Sequence, residues 1–254
     1  KDTYRRPKAL EAATKPELYR TLKLWNDSFE KLQKNLENFL DNQRKNFPRF
    51  FFLSNDELIL ILSNSKNIVK VQPSLKNMFE AINELELDGE SKDNIAAILS
   101  PEKERVEMPT GTKARGNIEE WLGGLERAMV TKLRMLMGEA VKDYKTMSRR
   151  EFVVDERYPC QIVMAVGMIM WCSSTEECLS GSDSVQAALD DWYEEINSYL
   201  DDLTQLVRED LNFVLRRKVV ALVTQDVHNR DIVESMSRDE GLKDMHDFKW
   251  QQQL

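Results

Sequence analysis

The stretch from Leu18 to Phe39, LYRTLKLWNDSFEKLQKNLENF, decides the fold class. Large apolar side chains fall at Leu18, Leu22, Trp25, Phe29, Leu32, Leu36 and Phe39, in steps of 4-3-4-3-4-3 with charged and amide residues between them. Such a repeat returns to one side of an α-helix on every turn, whereas a half-buried strand alternates every second residue. The spacing predicts one long helix. Thr14, ahead of Lys15-Pro16-Glu17, reads as its cap, and Pro48 stops it after Phe47. A second seam of the same kind runs through Val185, Leu189, Trp192, Ile196, Tyr199, Leu203 and Leu206, with Asp183 or Ser184 as its start and a kink ahead of residues 214–223. Two seams of equal length in one chain predict helices packed in an intramolecular bundle, with a coiled coil between chains as the alternative.

Shorter units lie between the two rods. Ser54-Asn55-Asp56-Glu57 has the form of a capping box before the apolar run Leu58 to Leu62. Pro73 reads as the start of a helix with the stripe Leu75, Met78, Phe79, Ile82 and Leu85. Asn117-Ile118-Glu119-Glu120 opens another, over Trp121, Leu122, Leu125, Met129, Leu133 and Leu136. One segment breaks the helical pattern: Ile95 to Ser100, a charged turn at Pro101-Glu102-Lys103-Glu104, then Arg105 to Met108 read as a single β-hairpin. Behind it, Pro109, Gly111 and Gly116 interrupt the apolar period and mark a candidate hinge. The expected organisation is an N-terminal helical sub-bundle over 1–110 that carries the hairpin, a joint at 111–116, and a C-terminal sub-bundle over 117–254. The fold class is mostly α: an elongated multi-helix bundle with long helices and one small inserted hairpin.

Composition supports that class and excludes others. The 254 residues hold only 9 Gly and 7 Pro, and 44 acidic against 36 basic residues leave a net charge of −8. No overall cationic field draws the chain to nucleic acid or anionic lipid, so neither is an expected partner. Three cysteines without a CxxC pattern indicate buried thiols in a reducing compartment. The most apolar window, Ile162 to Cys172, is short against the roughly 20 residues of a membrane span and predicts a buried core helix. The polar opening Lys1-Asp2-Thr3 carries no signal peptide and gives the expectation of a piece of something longer.

Chemistry is sparse. Gly111 to Gly116 has GxxxxG spacing but continues Asn117-Ile118 instead of Lys-Ser or Lys-Thr, so a nucleotide loop is not expected there. Two histidines, His228 and His246, lack the Glu-x-x-His frame of di-iron bundles, and no GxSxG elbow positions a serine. His228 reads as a hydrogen-bonded structural residue on a helix. The acidic run Asp190 to Asp202 reads as a solvated face, Arg216-Arg217-Lys218 as surface decoration, and the methionines from Met129 to Met170 as core filling. No catalytic, metal or cofactor-binding residue is nominated.

A family resemblance rests on four stretches in order. Phe47-Pro48-Arg49-Phe50-Phe51-Phe52-Leu53-Ser54-Asn55-Asp56-Glu57-Leu58, with Val71-Gln72-Pro73-Ser74-Leu75-Lys76 and Met78-Phe79 after it, resembles the linker region of dynein heavy chains. Gly116-Asn117-Ile118-Glu119-Glu120-Trp121-Leu122 is similar to that family's GNVEEWL, and residues 221–231, ALVTQDVHNRD, to its ALVTIDVHARD. Asp247-Phe248-Lys249-Trp250 is similar to the junction before the first AAA+ module. The wording is closest to axonemal heavy chains, with departures at Arg157-Tyr158-Pro159-Cys160-Gln161-Ile162 and Met170-Trp171-Cys172.

The resemblance implies the ring-proximal part of the linker, a helical arm that lies across the AAA+ ring and bends and straightens with its nucleotide state in the power stroke. It implies a fragment that is not itself an enzyme, in a parent motor whose ring binds ATP and Mg. It implies as partners the AAA+ ring and the tail of the same heavy chain, other axonemal dynein subunits and microtubules. The implied location is the cytoskeleton and the axoneme of a cilium or flagellum. In the family a small β element projects near the ring, which makes Ile95, Ile98, Arg105, Val106 and Met108 candidates for ring contact. The rival reading, a freestanding helical scaffold, requires exposed heptad seams.

Overall fold

A computed structural model of the chain describes residues 2–5, 8–89, 93–181, 184–239, 241–242 and 244–253. The mostly helical class is what it shows, with a small antiparallel sheet inserted. Two short helices, α1 (Asp2–Arg5) and α2 (Ala9–Ala13), precede the long α3 (Leu18–Asn46). A 3-10 turn at Pro48–Phe52 leads to α4 (Asn55–Ser63) and α5 (Ile68–Met78). Strands β1 (Glu84–Leu87), β2 (Ile95–Leu99) and β3 (Arg105–Glu107) follow, then α6 (Ile118–Tyr144) and α7 (Arg149–Val154). The chain continues through α8 (Cys160–Gly181), α9 (Val185–Val207), α10 (Phe213–Ser237) and α11 (Phe248–Gln251).

The chain divides into two compact units, one of residues 1–80 with 114–123 and the other of 81–113 with 124–254. The sheet therefore groups with the second unit, whereas the sequence pattern attached it to the N-terminal helices. Within that unit the turn of the hairpin is linked forward to Cys160 and Arg217.

In the first unit the core gathers at the C-terminal end of α3. Leu40, Phe47, Phe50, Leu58, Ile61, Val71 and Leu75 are buried, and the Phe47 and Phe50 rings meet edge-on at 5.0 Å. Arg49 lies 4.5 Å above the Phe79 ring and donates to the Met78 carbonyl at 3.1 Å, which fixes the chain as it leaves α5. The Ser54–Glu57 capping box forms as read: Ser54 N–H donates to the Glu57 carboxylate at 2.9 Å, and Glu57 N–H to Ser54 Oγ at 3.3 Å. Thr14 does not cap α3. It closes α2 by donating to the Leu10 carbonyl, and Glu17 stands at the start of α3 in a left-handed conformation with φ 63°.

The predicted stripe Leu75 to Leu85 is buried throughout, yet it is not one helix. Pro73 sits inside α5, which ends at Met78; Phe79 turns extended at φ −132° and ψ 116°, and Leu85 belongs to β1. Glu84-Leu85-Glu86-Leu87 alternates polar and apolar, the period of a half-buried strand, so a third strand joins the hairpin. Leu85, Ile98 and Val106 stand opposite one another across β1, β2 and β3 and share one buried face. The order β1-β2-β3 leaves β2 central, and Ile95 and Ala97 bury its other face as well.

The second unit is built on α8, α9 and α10. The α9 seam is buried at Leu189, Trp192, Ile196, Leu203 and Leu206, and α10 is its most extensively packed neighbour. What reads as one kinked rod is two helices: α9 ends at Val207, and Asn212 starts α10 by accepting from Leu215 N–H at 2.8 Å. Ser184 supplies the α9 cap through Ala187 N–H; Asp183 lies outside the described residues. Trp192 donates its indole N–H to Thr175 at 3.1 Å, and Trp171 packs on Trp250 at 5.5 Å, drawing α11 into the core. The apolar window Ile162 to Cys172 lies in a 22-residue helix that is long and apolar enough to cross a membrane by length and composition alone. Its Val163, Val166, Trp171 and Leu179 are buried within the protein.

The seam on α3 is the exception to the bundle expectation. Leu22, Trp25, Phe29, Leu32, Leu36 and Phe39 are between 45% and 68% exposed, and only Leu40, one position off the stripe, is buried on this helix. The methionines also differ from plain core filling: Met129, Met137, Met164, Met168 and Met170 are half-buried and Met135 is exposed.

Candidate functional site

The candidate joint starts in a turn. Thr112 donates its N–H at 3.2 Å and its hydroxyl at 2.8 Å to the Pro109 carbonyl, and Gly111 between them has φ 92°. Gly116 repeats the left-handed conformation at φ 96°. An L side chain is strained at either angle, so both glycines are required by the backbone path. The first half of the segment is also pinned to the sheet: Ile95 N–H donates to the Thr112 carbonyl at 2.9 Å, and Asn94 bridges to Lys113. The limit between the two compact units falls just after Lys113, and the chain passes between them again at Gly123-Gly124, inside α6.

The hairpin residues separate by role. Ile95, Ile98, Val106 and Met108 are each at most 8% exposed, which turns them toward the protein's own interior. Arg105 points outward. Its guanidinium forks onto Glu86 at 2.8 and 3.2 Å and reaches Glu107 at 2.9 Å, holding the Glu86 carboxyl below the usual carboxylate range. Of the five, Arg105 alone offers an accessible side chain to another surface.

The turn of the hairpin is tied down rather than free. Lys103 adopts φ 71°, and Glu104 N–H donates to Ser100 Oγ at 3.1 Å. The Glu104 carboxylate accepts from Cys160 N–H at 2.8 Å, satisfying an amide at the start of α8, and Arg217 reaches Glu102 at 3.3 Å. Burial, with the Glu104 charge beside it, pushes the Cys160 thiol up, so it is a poor nucleophile. A groove of about 830 Å³ runs under the turn, walled by the hairpin, α6, the segment after α7 and the start of α10. Tyr158, fully buried there, donates to Asp143 at 2.7 Å, and burial together with that bond pushes its hydroxyl up to about 12.

The basic cluster is structural instead of decorative. Lys218 is 5% exposed and its ammonium donates to the carbonyls of Asp155 and Tyr158 at 3.1 and 2.8 Å. Burial lowers its affinity for the proton. Arg216 donates to the Val207 and Glu209 carbonyls at the end of α9. His228 is exposed on α10, while its neighbours Asp226 and Asn229 are buried. Asp226 accepts from Arg149 Nη2 at 2.7 Å, an ion pair across 77 residues of sequence. Among the described residues no three His, Cys, Asp or Glu side chains gather in a way that could hold a metal ion.

Comparison with known proteins follows the same lines. Residues 1–140, more than half of the chain, match the family described as dynein heavy chain, N-terminal region 2. The chain belongs to the dynein heavy chain family. It is 41% identical to human dynein axonemal heavy chain 6 over 98% of its length, and 39% identical to mouse dynein axonemal heavy chain 12 over 98%. It is 34% identical over its whole length to the dynein-1-beta heavy chain of the flagellar inner arm I1 complex of Chlamydomonas reinhardtii. The chain spans only 6% to 8% of the length of these heavy chains.

Proposed function

We propose that this chain is the ring-proximal linker of an axonemal dynein heavy chain, a part that transmits nucleotide-driven changes of an AAA+ ring to the tail and performs no chemistry itself. The carrying observation is the similarity to axonemal heavy chains along almost the whole chain, which runs through both compact units and the segment between them. The physical features suit such a part. Long helices packed along a buried seam resist bending, and the candidate joint lies at a boundary between the two compact units. In this reading ATP and Mg are held by the ring of the parent motor. The partners are that ring, the tail, other axonemal subunits and, through the parent, microtubules in a cilium or flagellum.

Pro109, Gly111 and Gly116 form the joint, and Arg105 with its acidic neighbours is the accessible part of the hairpin toward the ring. Replacing Gly111 with Pro and Gly116 with Ala in the full heavy chain imposes backbone angles that neither position adopts, and microtubule gliding is expected to slow. Unchanged velocity would sink the joint.

The exposed α3 seam favours, for that helix alone, the rival reading of a scaffold that recruits other helices; the buried α9 seam does not. Under the linker reading the α3 seam is covered by further parts of the same heavy chain. The two differ in one measurement, because charged residues at Trp25 and Phe29 in the full heavy chain impair the motor's own folding if the seam is internal. They only abolish capture of a separate partner if the chain is a scaffold.

A further inference from the structure

The ion pair between Arg149 and Asp226 closes one side of a small chamber in the second unit. Its walls come from every long helix there: Tyr144 of α6, Gly167 and Trp171 of α8, Trp192, Ile196 and Tyr199 of α9, and Asp226 and Asn229 of α10, with Arg149 of α7. The Arg149 side chain is 4% exposed. Nη2 is satisfied by Asp226, and the guanidinium carbon lies 5.7 Å from the Tyr144 ring and 5.8 Å from the Tyr199 ring. Among the described residues Nε and Nη1 are buried and make no well-formed hydrogen bond, the Tyr144 hydroxyl beside the guanidinium interacting with it only weakly. Among the described residues two further wall groups have the same deficit: the Trp171 indole N–H, a donor, and Asn229 Oδ1, an acceptor whose amide nitrogen meets the Met168 sulfur at 3.5 Å.

Buried donors and acceptors without partners are costly, above all on a charged group, and a cationic donor beside a neutral acceptor in one chamber is the setting in which a water molecule is retained. The volume, about 10 Å³, is close to the least that admits one water and too small for anything larger. We propose that the chamber is a built site for a single ordered water, which accepts from Arg149 and Trp171 and donates to Asn229. The hydrated pair then forms one polar node that holds α7, α8 and α10 in register. It also gives a physical role to Asp226 and Asn229 within the ALVTQDVHNRD stretch, whose histidine faces solvent.

Gly167 makes the test decisive. A methyl group built there lies 3.7 Å from Arg149 Nη1 and 3.9 Å from Nη2, in ordinary contact without a clash. Ala is the better helix former, so Gly→Ala at a helical site with free space raises the thermal midpoint. Gly138 on α6, where a methyl meets nothing within 4 Å, is the reference. With a water in the chamber, the methyl of Gly167→Ala displaces it and leaves the guanidinium donors unpaired. The midpoint of the 254-residue chain is therefore expected to fall by several degrees while that of Gly138→Ala rises. If Gly167→Ala raises the midpoint as Gly138→Ala does, the chamber is dry and the proposal is overturned. A crystal structure of the unaltered chain at atomic resolution gives a second reading. Density for one water within hydrogen-bond distance of Arg149 and Asn229 supports the site, and an empty chamber or a direct Arg149–Asn229 bond overturns it.

Discussion

At the residue scale, the capping boxes are legible because both partners are neighbours in sequence, although Thr14, read as the cap of α3, closes α2 instead. Ser54-x-x-Glu57 announces its capping box, and Ser148-x-x-Glu151 forms an identical one that the same rule would have found. The Arg149–Asp226 pair has no such signal, because its partners lie 77 positions apart and meet only through packing. The short-range carboxylates carry a pH prediction. Backbone hydrogen bonds from Ser54 and Ser148 depress the Glu57 and Glu151 carboxyls, the Tyr158 hydroxyl and Arg157 depress Asp143, and Lys249 depresses Asp239. A carboxyl depressed in the folded state stabilises it in full above the unfolded pKa, and that contribution is lost as pH falls through the folded one. The urea midpoint is expected to hold from pH 7 to about 5 and to fall below that. Glu57→Gln with Glu151→Gln should shallow the decline, and a midpoint indifferent to acid would refute these assignments.

At the element scale, periodicity identified amphipathic helices and was silent on what covers them. The seams of α3 and α9 have the same spacing, yet Trp192 is 7% exposed and Trp25 59%. An apolar stripe records a need for a neighbour, and only the tertiary structure supplies α8 and α10 to one seam and leaves the other open. Trp192→Ala should cost about 3–5 kcal/mol in denaturant unfolding. Trp25→Ala should stay within about 0.5 kcal/mol in the 254-residue chain. Comparable losses at both positions would show that α3 is packed in solution. The missed strand has a related cause: Leu75 to Leu85 keeps helical spacing by coincidence, and the alternation of Glu84-Leu85-Glu86-Leu87 is only four residues long. The hairpin itself was readable from its turn, but its apolar residues were not readable as interior ones, because burial on both faces of β2 depends on what packs above and below.

At the scale of the whole molecule, the helical class and the family follow from long stretches of sequence, and both stand. The organisation of the chain was less legible. The segment 109–116 interrupts the apolar period as a joint would, while part of it pairs with the sheet, and the sheet groups with the residues after it. Linear order does not show that a β insertion docks forward through Glu104 and Glu102 onto α8 and α10. The central claim is that this part moves force and leaves ATP chemistry to the rest of the heavy chain. The measurement that tests it most directly is paired: ATP turnover and microtubule gliding by the full heavy chain, with residues 1–254 intact and with them removed. Turnover that persists while gliding is lost is the predicted result. Gliding that survives the removal, or turnover that depends on residues of this segment, would contradict it.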